Sequence, residues 1–327
     1  MSALLSHTDV RRQSESVFRQ FGPQWERQAK ENARLKREPA EALREIGVGR
    51  IAVLVAAGAS LEGHIETLRK YRDRFDLYAC DKAFGILAEQ GIFADAVHIA
   101  DANIPFKWLE PHIEKTRGVR LISTAYANPE WTKAWLGPRT FYVNADAIDS
   151  QNLFAPIMGE GTRVVAASSN ISNAMVVFLT GCLDQLKDNF AGYERYLLVG
   201  YDYSWRADGN YYAFANPVPK RHYMTHMAMN DVAGDAVRTS ENLVFSAKWL
   251  WSYLAAYQFL PVVNCSGRGL LDIGRQGVLD EELRRIKTDP SARQRIIDAL
   301  RVARATRDAH EAAEHALVRA KEAILWQ

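Results

Sequence analysis

Short runs of β-branched and aromatic residues alternate with helical periodicities through the middle of the chain. The runs at residues 50–57, 76–80, 96–100, 119–124, 140–143, 163–166, 196–199 and 261–264 read as strands. Between them, residues 61–74, 82–90, 172–186 and 240–257 carry the three-or-four spacing of helices. Strands that alternate with helices predict an α/β fold, a Rossmann-like, mostly parallel sheet flanked by helices.

The two ends differ from this middle. From about residue 10 to 45 the chain is polar and helix-forming, with Phe18, Phe21, Trp25 and Leu35 as scattered anchors, and Gly47 and Gly49 mark where the core begins. After Leu279 a charged, Ala- and Arg-rich run is broken by Thr288-Asp289-Pro290, where proline suits the first turn of a new helix. Ile296, Ile297, Leu300, Ala303, Ala313, Leu317, Ala320 and Ile324 keep helical spacing with few strong core residues, which predicts a long helix against the body or another subunit. The organisation expected is a helical extension over 1–47, a nucleotide-binding domain over 48–279 and a second helical extension over 280–327.

Composition narrows the class without naming it. The chain has 327 residues, 48% hydrophobic and 24% charged, enough for a substantial core. Its 41 Lys and Arg against 39 Asp and Glu leave a net charge of +2, too small to predict an extended nucleic-acid surface. Cys80, Cys182 and Cys265 lack the paired spacing of a structural zinc site, and a reduced, cytoplasmic compartment fits them best. No run approaches a membrane span, and the first residues lack a signal-peptide core. The triplets starting at Asn170 and Asn264 are therefore not expected to be glycosylated.

The most informative local feature is the first strand, which ends at Gly58-Ala59-Ser60 and passes into the helical pattern of Leu61, Ile65 and Leu68. A small-residue turn there leaves backbone N–H groups and the positive end of a helix dipole for an anion, most often a nucleotide phosphate. A P-loop needs Gly-Lys-Ser/Thr where the chain has Gly63-His64-Ile65, and the dinucleotide fingerprint needs glycine where Ser60 stands. A structural turn with Ser60 as N-cap is the other account.

Ligands of open α/β sheets bind at the carboxyl ends of strands, so the polar residues there were the next candidates. Asp81 either caps a helix or contacts a ribose hydroxyl or metal, and Asp101 repeats the arrangement, so the two carboxylates can share one Mg²⁺. Ser168, Ser169, Asn170, Ser172 and Asn173 put hydroxyl and amide groups at a helix entrance, more than capping requires. Gly200 and Asp202 follow a later strand, with Tyr201, Tyr203, Tyr211 and Tyr212 nearby. His222 and His226, beside Lys220 and Arg221, are general-base candidates or parts of a basic surface loop, and His98 reads as a satisfied core histidine.

Five ordered blocks then carry a resemblance: AAGASLEGHIETL, YACDKAFGILAEQGIFADAVHIAD, SSNISNA, LLVGYDYSW and VVNCSGRGLLD. Over residues 48–275 the chain resembles the MptE-like family, which includes archaeal 6-hydroxymethyl-dihydropterin diphosphokinases and bacterial motility accessory factors linked to flagellin glycosylation. The family's Gly-Pro-Ser-Leu stands here as Gly58-Ala59-Ser60-Leu61, and its Gly-Ile-x-Pro-Asp as Gly91-Ile92-Phe93-Ala94-Asp95. The first block, serine-rich turn and Gly-x-Asp also look like bacterial sialyltransferases that use a CMP-activated nonulosonic acid. By that resemblance Gly58, Ser60, Ser168, Ser169 and Asn173 hold the nucleotide and His222 or His226 serves as the base. The strand-end reading adds Ala59, Asp81, Asp101, Asn170 and Gly200 to the nucleotide-binding candidates and Asp202 to the catalytic ones.

Three functions fit these residues. The favoured one is glycosyl transfer from a nucleotide-activated sugar, a CMP-sugar first, to a sugar or protein acceptor, a histidine taking the acceptor proton. The second is diphosphoryl transfer from ATP to a pterin hydroxyl, with Asp81 and Asp101 holding Mg²⁺. The third is a noncatalytic nucleotide-binding scaffold, with the terminal helices recruiting a partner or a second copy of the chain.

Overall fold

The computed structural model describes residues 7–144, 148–165, 170–181, 189–206, 212–214 and 226–286, with only the backbone given for 7–17, 148–151 and 226. Strands β1 (Ile51–Val55), β2 (Asp76–Cys80), β3 (Ala96–Ile99), β4 (Arg120–Thr124), β5 (Arg139–Asn144), β6 (Arg163–Val165) and β7 (Arg195–Val199) are followed by β8 (Trp205–Arg206), β9 (His226–Asn230), β10 (Ala236–Ser240) and β11 (Val262–Asn264). The helices are α1 (His7–Asn32), α2 (Ile65–Lys70), α3 (Asp81–Glu89), α4 (Pro129–Ala134), α5 (Ile148–Met158), α6 (Ile171–Thr180), α7 (Glu241–Ala256) and α8 (Leu279–Arg284).

Eight strands form one parallel sheet in the order β11-β7-β1-β2-β3-β4-β5-β6. Every residue of β1 and β2 is buried, as expected of central strands covered on both faces. Their register, Val53 opposite Leu77 on one side and Leu197 on the other, stacks aliphatic side chains across the middle of the sheet. From β1 the chain steps outward strand by strand to β6, and only after α6 does it return to lay β7 on the other side of β1. The gap between β1 and β7 is therefore the topological switch point of the sheet, where α/β folds bind ligands.

Helix α6 is apolar nearly all round and buried from Ser172 to Thr180, so it behaves as a core element. Asn170 caps it by accepting the Ser172 amide, and Gly181 at φ 76° closes it in the left-handed conformation. Helix α1 builds a second, smaller core in which Trp25 stacks on Tyr126 at 4.5 Å and Phe18 meets Phe154.

Several expectations are corrected. The N-terminal helix predicted to about residue 45 ends at Asn32, and a separate 3-10 turn, Ala40–Leu43, follows Pro39, which keeps helix from running through residue 38 into that turn. The helix expected over 61–74 is instead a 3-10 segment, Ala59–His64, then the six residues of α2, then another 3-10 turn, Arg72–Arg74. Gly63 in its middle weakens helical propagation. His226, expected in a loop, opens β9, which pairs antiparallel with β10 in a small sheet ordered β8-β10-β9, and the rest of the expected loop, 220–225, lies outside the described residues. Helices α4 and α5 were not predicted. The expected long helix after residue 287 lies outside the described residues.

His98 lies in the core as predicted, but it is not satisfied. It is fully buried, 5.1 Å from the Tyr142 ring and 5.5 Å from Phe178, and neither ring nitrogen has a partner among the described residues. Burial pushes its pKa from the ordinary 6.5 down to about 3, so the folded protein holds it neutral. Below pH 6.5 the unfolded chain takes up this proton and the folded chain does not, so stability falls as pH drops through that window. Asp81 shifts in the opposite sense, so the test is differential. Lowering the pH from 7.5 to 5 should cost wild type about 2 kcal/mol more unfolding free energy than His98→Phe. Denaturant titrations at the two pH values measure this, and a pH-independent gap would refute it.

Candidate functional site

The backbones of β1 and β7 stay paired past their strand ends. The Ala56 amide donates to Val199 O at 2.9 Å and the Gly58 amide to Gly200 O at 3.0 Å. Beyond this point the side chain of Asp202 crosses the switch point, accepting the Ser60 amide on Oδ2 at 2.8 Å and the Ser60 hydroxyl on Oδ1 at 2.5 Å. Three glycines admit this approach. A Cβ on Gly58 would sit 2.6 Å from Asp202 Cγ, one on Gly200 2.3 Å from Ala56 O, and one on Gly269 2.3 Å from the Asp202 backbone. Gly200 and Gly269 also hold φ of +74° and +89°, which only glycine adopts freely.

These bonds change the picture of the first turn. Of the three amides expected to face an anion, those of Gly58 and Ser60 are donated within the protein, and only that of Ala59 has no partner among the described residues. A carboxylate stands where the phosphate was expected. Burial raises the pKa of Asp202, while the hydrogen bonds from Ser60 and the charge of Arg206 pull it back.

The described part of the serine-rich bend meets the same loop. The Tyr203 hydroxyl donates to Asn173 Oδ1 at 2.5 Å, the Tyr201 hydroxyl donates to Ser172 O at 3.2 Å, and Asn173 Nδ2 donates to Ser246 O at 2.9 Å. Asn170 Oδ1 accepts both the amide and the hydroxyl of Ser172. Asn173 is fully buried, so it braces the α6 entrance. Ser168, Ser169, His222, Lys220, Arg221 and Tyr211 lie outside the described residues, as does the side chain of His226.

A cavity of about 390 Å³ opens beside Ser60 and Asp202, walled by Trp205 and Arg206 of β8, Val237 of β10 and the Arg268-Gly269 turn. Arg206 pairs with Glu62 at 3.0 Å. Arg268 reaches Asp231 Oδ2 through Nε at 2.8 Å and Asp235 Oδ2 through Nη1 at 2.5 Å. Asp231 also accepts the Ala233 and Asp235 amides on Oδ1, which folds the β9–β10 turn around it. Sequence reasoning missed Arg206, Asp231 and Arg268. Two signals were available: Asp231-x-x-Gly234-Asp235 is a turn signature, and Arg268 stands between two glycines just after a strand.

The sequence profile of the family described as 6-hydroxymethylpterin diphosphokinase MptE-like matches residues 26–207. The chain belongs to the MptE-like family. An uncharacterized protein of Treponema pallidum (strain Nichols) is 36% identical over 80 residues, which cover 24% of this chain and 38% of that protein. In three dimensions the chain is similar to the MAf glycosyltransferase from Magnetospirillum magneticum AMB-1, with a TM-score of 0.60 and 18% identity over 86% of this chain and 42% of that one. The MptE-like chain thus spans about two fifths of each of these relatives, and the structural likeness is one of fold.

The matched stretch takes in Gly58, Ser60, Asp81, Asp101, Asn173, Gly200, Asp202 and Arg206, whereas Asp231 and Arg268 lie beyond it. Asp81 and Asp101 follow the adjacent strands β2 and β3. Asp81 accepts the Lys82 amide at 2.6 Å and Asp101 the Asn103 amide at 2.7 Å. Burial lifts the Asp81 pKa to about 6, with the Asp101 charge adding to it and the Lys82 amide opposing it. Among the described residues no three His, Cys, Asp or Glu side chains converge as a metal cluster.

The close packing at Gly58 is testable. Gly58→Ala should cost about 2 kcal/mol or more in denaturant unfolding, because its Cβ meets a backbone oxygen and a buried carboxyl carbon. Gly63→Ala, where a Cβ meets nothing within 4 Å, should leave stability unchanged or raise it by up to about 1 kcal/mol. Equal effects at the two glycines would contradict the geometry.

Proposed function

We propose that this MptE-like chain is a nucleotide-dependent transferase that moves a sugar from a nucleotide-activated donor, a CMP-linked one first, to a hydroxyl on a sugar or protein acceptor. The observation that carries this reading is the Ser60–Asp202 pair at the switch point, opening onto a cavity walled by two arginines. A carboxyl whose pKa is raised by burial holds a proton more readily than an exposed one, and cations nearby are suited to a departing phosphate.

In the proposed reaction the bond from the anomeric carbon to the donor phosphate oxygen breaks with its electrons on the phosphate. The acceptor oxygen forms the new bond to that carbon, and its proton passes to the base. Asp202 is the base we favour; His222 and His226 are the alternatives. The fold likeness to the MAf glycosyltransferase agrees with this reading without specifying donor or acceptor.

A second reading, diphosphoryl transfer from ATP to a pterin hydroxyl, is favoured by the Asp81–Asp101 pair and by the family's description. Mg²⁺ commonly uses one or two carboxylates together with substrate phosphates and water, so two repelling carboxyls at neighbouring strand ends fit it. Bound there, the ion would neutralise charge on the phosphates. Asp81 and Asp101 would hold it through the oxygens not committed to the Lys82 and Asn103 amides.

Thermal unfolding with CMP, CDP, ATP and a pterin, each with and without Mg²⁺, separates the two. A ligand at a hundredfold excess over its Kd adds about 2.7 kcal/mol, a rise of roughly 5 °C in a chain of this size. Stabilisation by CMP without Mg²⁺ is expected; an ATP response that needs Mg²⁺ would favour the second reading, and silence from every ligand would remove both. Asp202→Asn should keep the CMP response yet slow CMP release from a CMP-sugar by about 10²-fold or more. Retention of full rate by Asp202→Asn, with loss in the His222→Ala and His226→Ala double variant, would transfer the base role to a histidine.

A further inference from the structure

The crevice has an electrostatic problem at its first turn. A nucleotide brings a phosphate, but the Gly58 and Ser60 amides are already donated to Gly200 O and Asp202. The α-helix that follows starts only at Ile65 and has six residues, so its dipole adds little at residue 58. An anion seated on residues 58–60 would find one amide, that of Ala59, without a partner among the described residues, and a carboxylate beside it.

Two arginines in the cavity lining carry the missing donors. We infer that Arg206 and Arg268 together form the anion subsite of this crevice and take the phosphate or diphosphate of the bound nucleotide. The inference rests on the transferase reading for the identity of that anion.

The hydrogen-bond inventory favours this assignment. Arg268 spends Nε on Asp231 and Nη1 on Asp235, and its Nη2 has no partner among the described residues. Arg206 spends Nη2 on Glu62 and, at 3.5 Å, on the Ala59 carbonyl, and its Nε and Nη1 have no partner among the described residues. Both side chains are close to half exposed, at 46% for Arg206 and 47% for Arg268. Asp231, in contrast, has no exposed side-chain surface, and its oxygens accept the Ala233 and Asp235 amides as well as Arg268. Asp202 is likewise occupied by Ser60. The cavity lining therefore combines guanidinium N–H groups that have no partner among the described residues with carboxylates, Asp202 and Asp231, whose oxygens are already engaged.

Two further features fit an anion subsite. The planar guanidinium matches phosphate oxygens with paired N–H groups, which a lysine cannot do. Each arginine is held beforehand by acidic partners, so little side-chain freedom remains to be lost on binding. The two come from separate elements, β8 and the turn after β11, and approach one cavity from two walls.

Calorimetric titration of the full chain with inorganic pyrophosphate, CMP and cytidine tests the assignment. Wild type should bind pyrophosphate and CMP with affinity that falls as salt rises. Arg206→Gln and Arg268→Gln should each weaken both by tenfold or more, the double variant should abolish pyrophosphate binding, and cytidine affinity should not move. Arg268→Gln also removes a donor from buried Asp231 and can unfold the β9–β10 turn. Arg206→Gln gives up one half-exposed ion pair and a long hydrogen bond to Ala59 O, so it carries the test alone if the other variant does not fold. Pyrophosphate or CMP affinity in Arg206→Gln within twofold of wild type would overturn the subsite, as would a wild type that binds neither. If CMP binds wild type and arginine variants alike, the subsite falls and the transferase reading stands. If pyrophosphate binding depends on the arginines but no nucleotide or nucleotide-sugar binds, the subsite stands and the transferase reading falls.

Discussion

The bond between Ser60 and Asp202 holds this crevice together. Asp202 is nearly excluded from water, and a buried carboxyl needs donors; both of its oxygens find them on one residue of the opposite turn. That requirement propagates outward. The carboxyl can reach Ser60 only if no side chain stands at Gly58, and the loop that carries it can bend back only around Gly200 and Gly269. The same loop presents Tyr201 and Tyr203 to the entrance of α6. Segments near residues 60, 172, 202 and 269 are thus tied into one rim by contacts that start from a single buried charge.

The N-terminal helix takes part in the same rim. Gln24 donates to Asn103 Oδ1 at 2.7 Å, Gln28 to Ala102 O at 2.9 Å, and buried Asn32 to the Ala125 and Ala127 carbonyls at 2.8 and 2.9 Å. Those acceptors follow β3 and β4, so α1 supplies amide donors to loop carbonyls that the sheet cannot satisfy. Its aromatic contact with Tyr126 keeps it in place. The helix orders the loop after Asp101, a role that its sparse apolar anchors did not suggest.

How much was legible follows from what each element depends on. The strands of the large sheet could be read because they are buried on both faces, which leaves continuous apolar runs such as 51–55 in the sequence. Gly58, Ser60 and Asp202 could be found by looking where those runs end. Whether the Ser60 amide serves a ligand or a carboxylate could not, because the answer depends on a residue 142 positions away. The β9–β10 hairpin has a short alternation, and its turn is organised by Asp231 with Arg268 from a distant loop, so the local pattern understates it. That His98 has no hydrogen-bond partner among the described residues was likewise invisible, since the strand pattern places a histidine in the core but does not show what surrounds its nitrogens.

Two carboxyl groups at the strand ends are raised by burial, and their surroundings distinguish them. Asp202 has Ser60 donating to both oxygens and Arg206 nearby, each of which favours its charged form. Asp81 has a single backbone donor and faces the like charge of Asp101, which favours its neutral form or a cation beside it. The rim presents different groups along the sheet: the Asp81 and Asp101 carboxyls after β2 and β3, and the Arg206 and Arg268 guanidinium groups, with the engaged carboxyls of Asp202 and Asp231, in the cavity beside β1 and β7. A phosphate drawn to the arginines and a cation drawn to Asp81 would occupy different parts of one edge. A substrate that carries both can be oriented by charge before any specific hydrogen bond to its sugar or base is made.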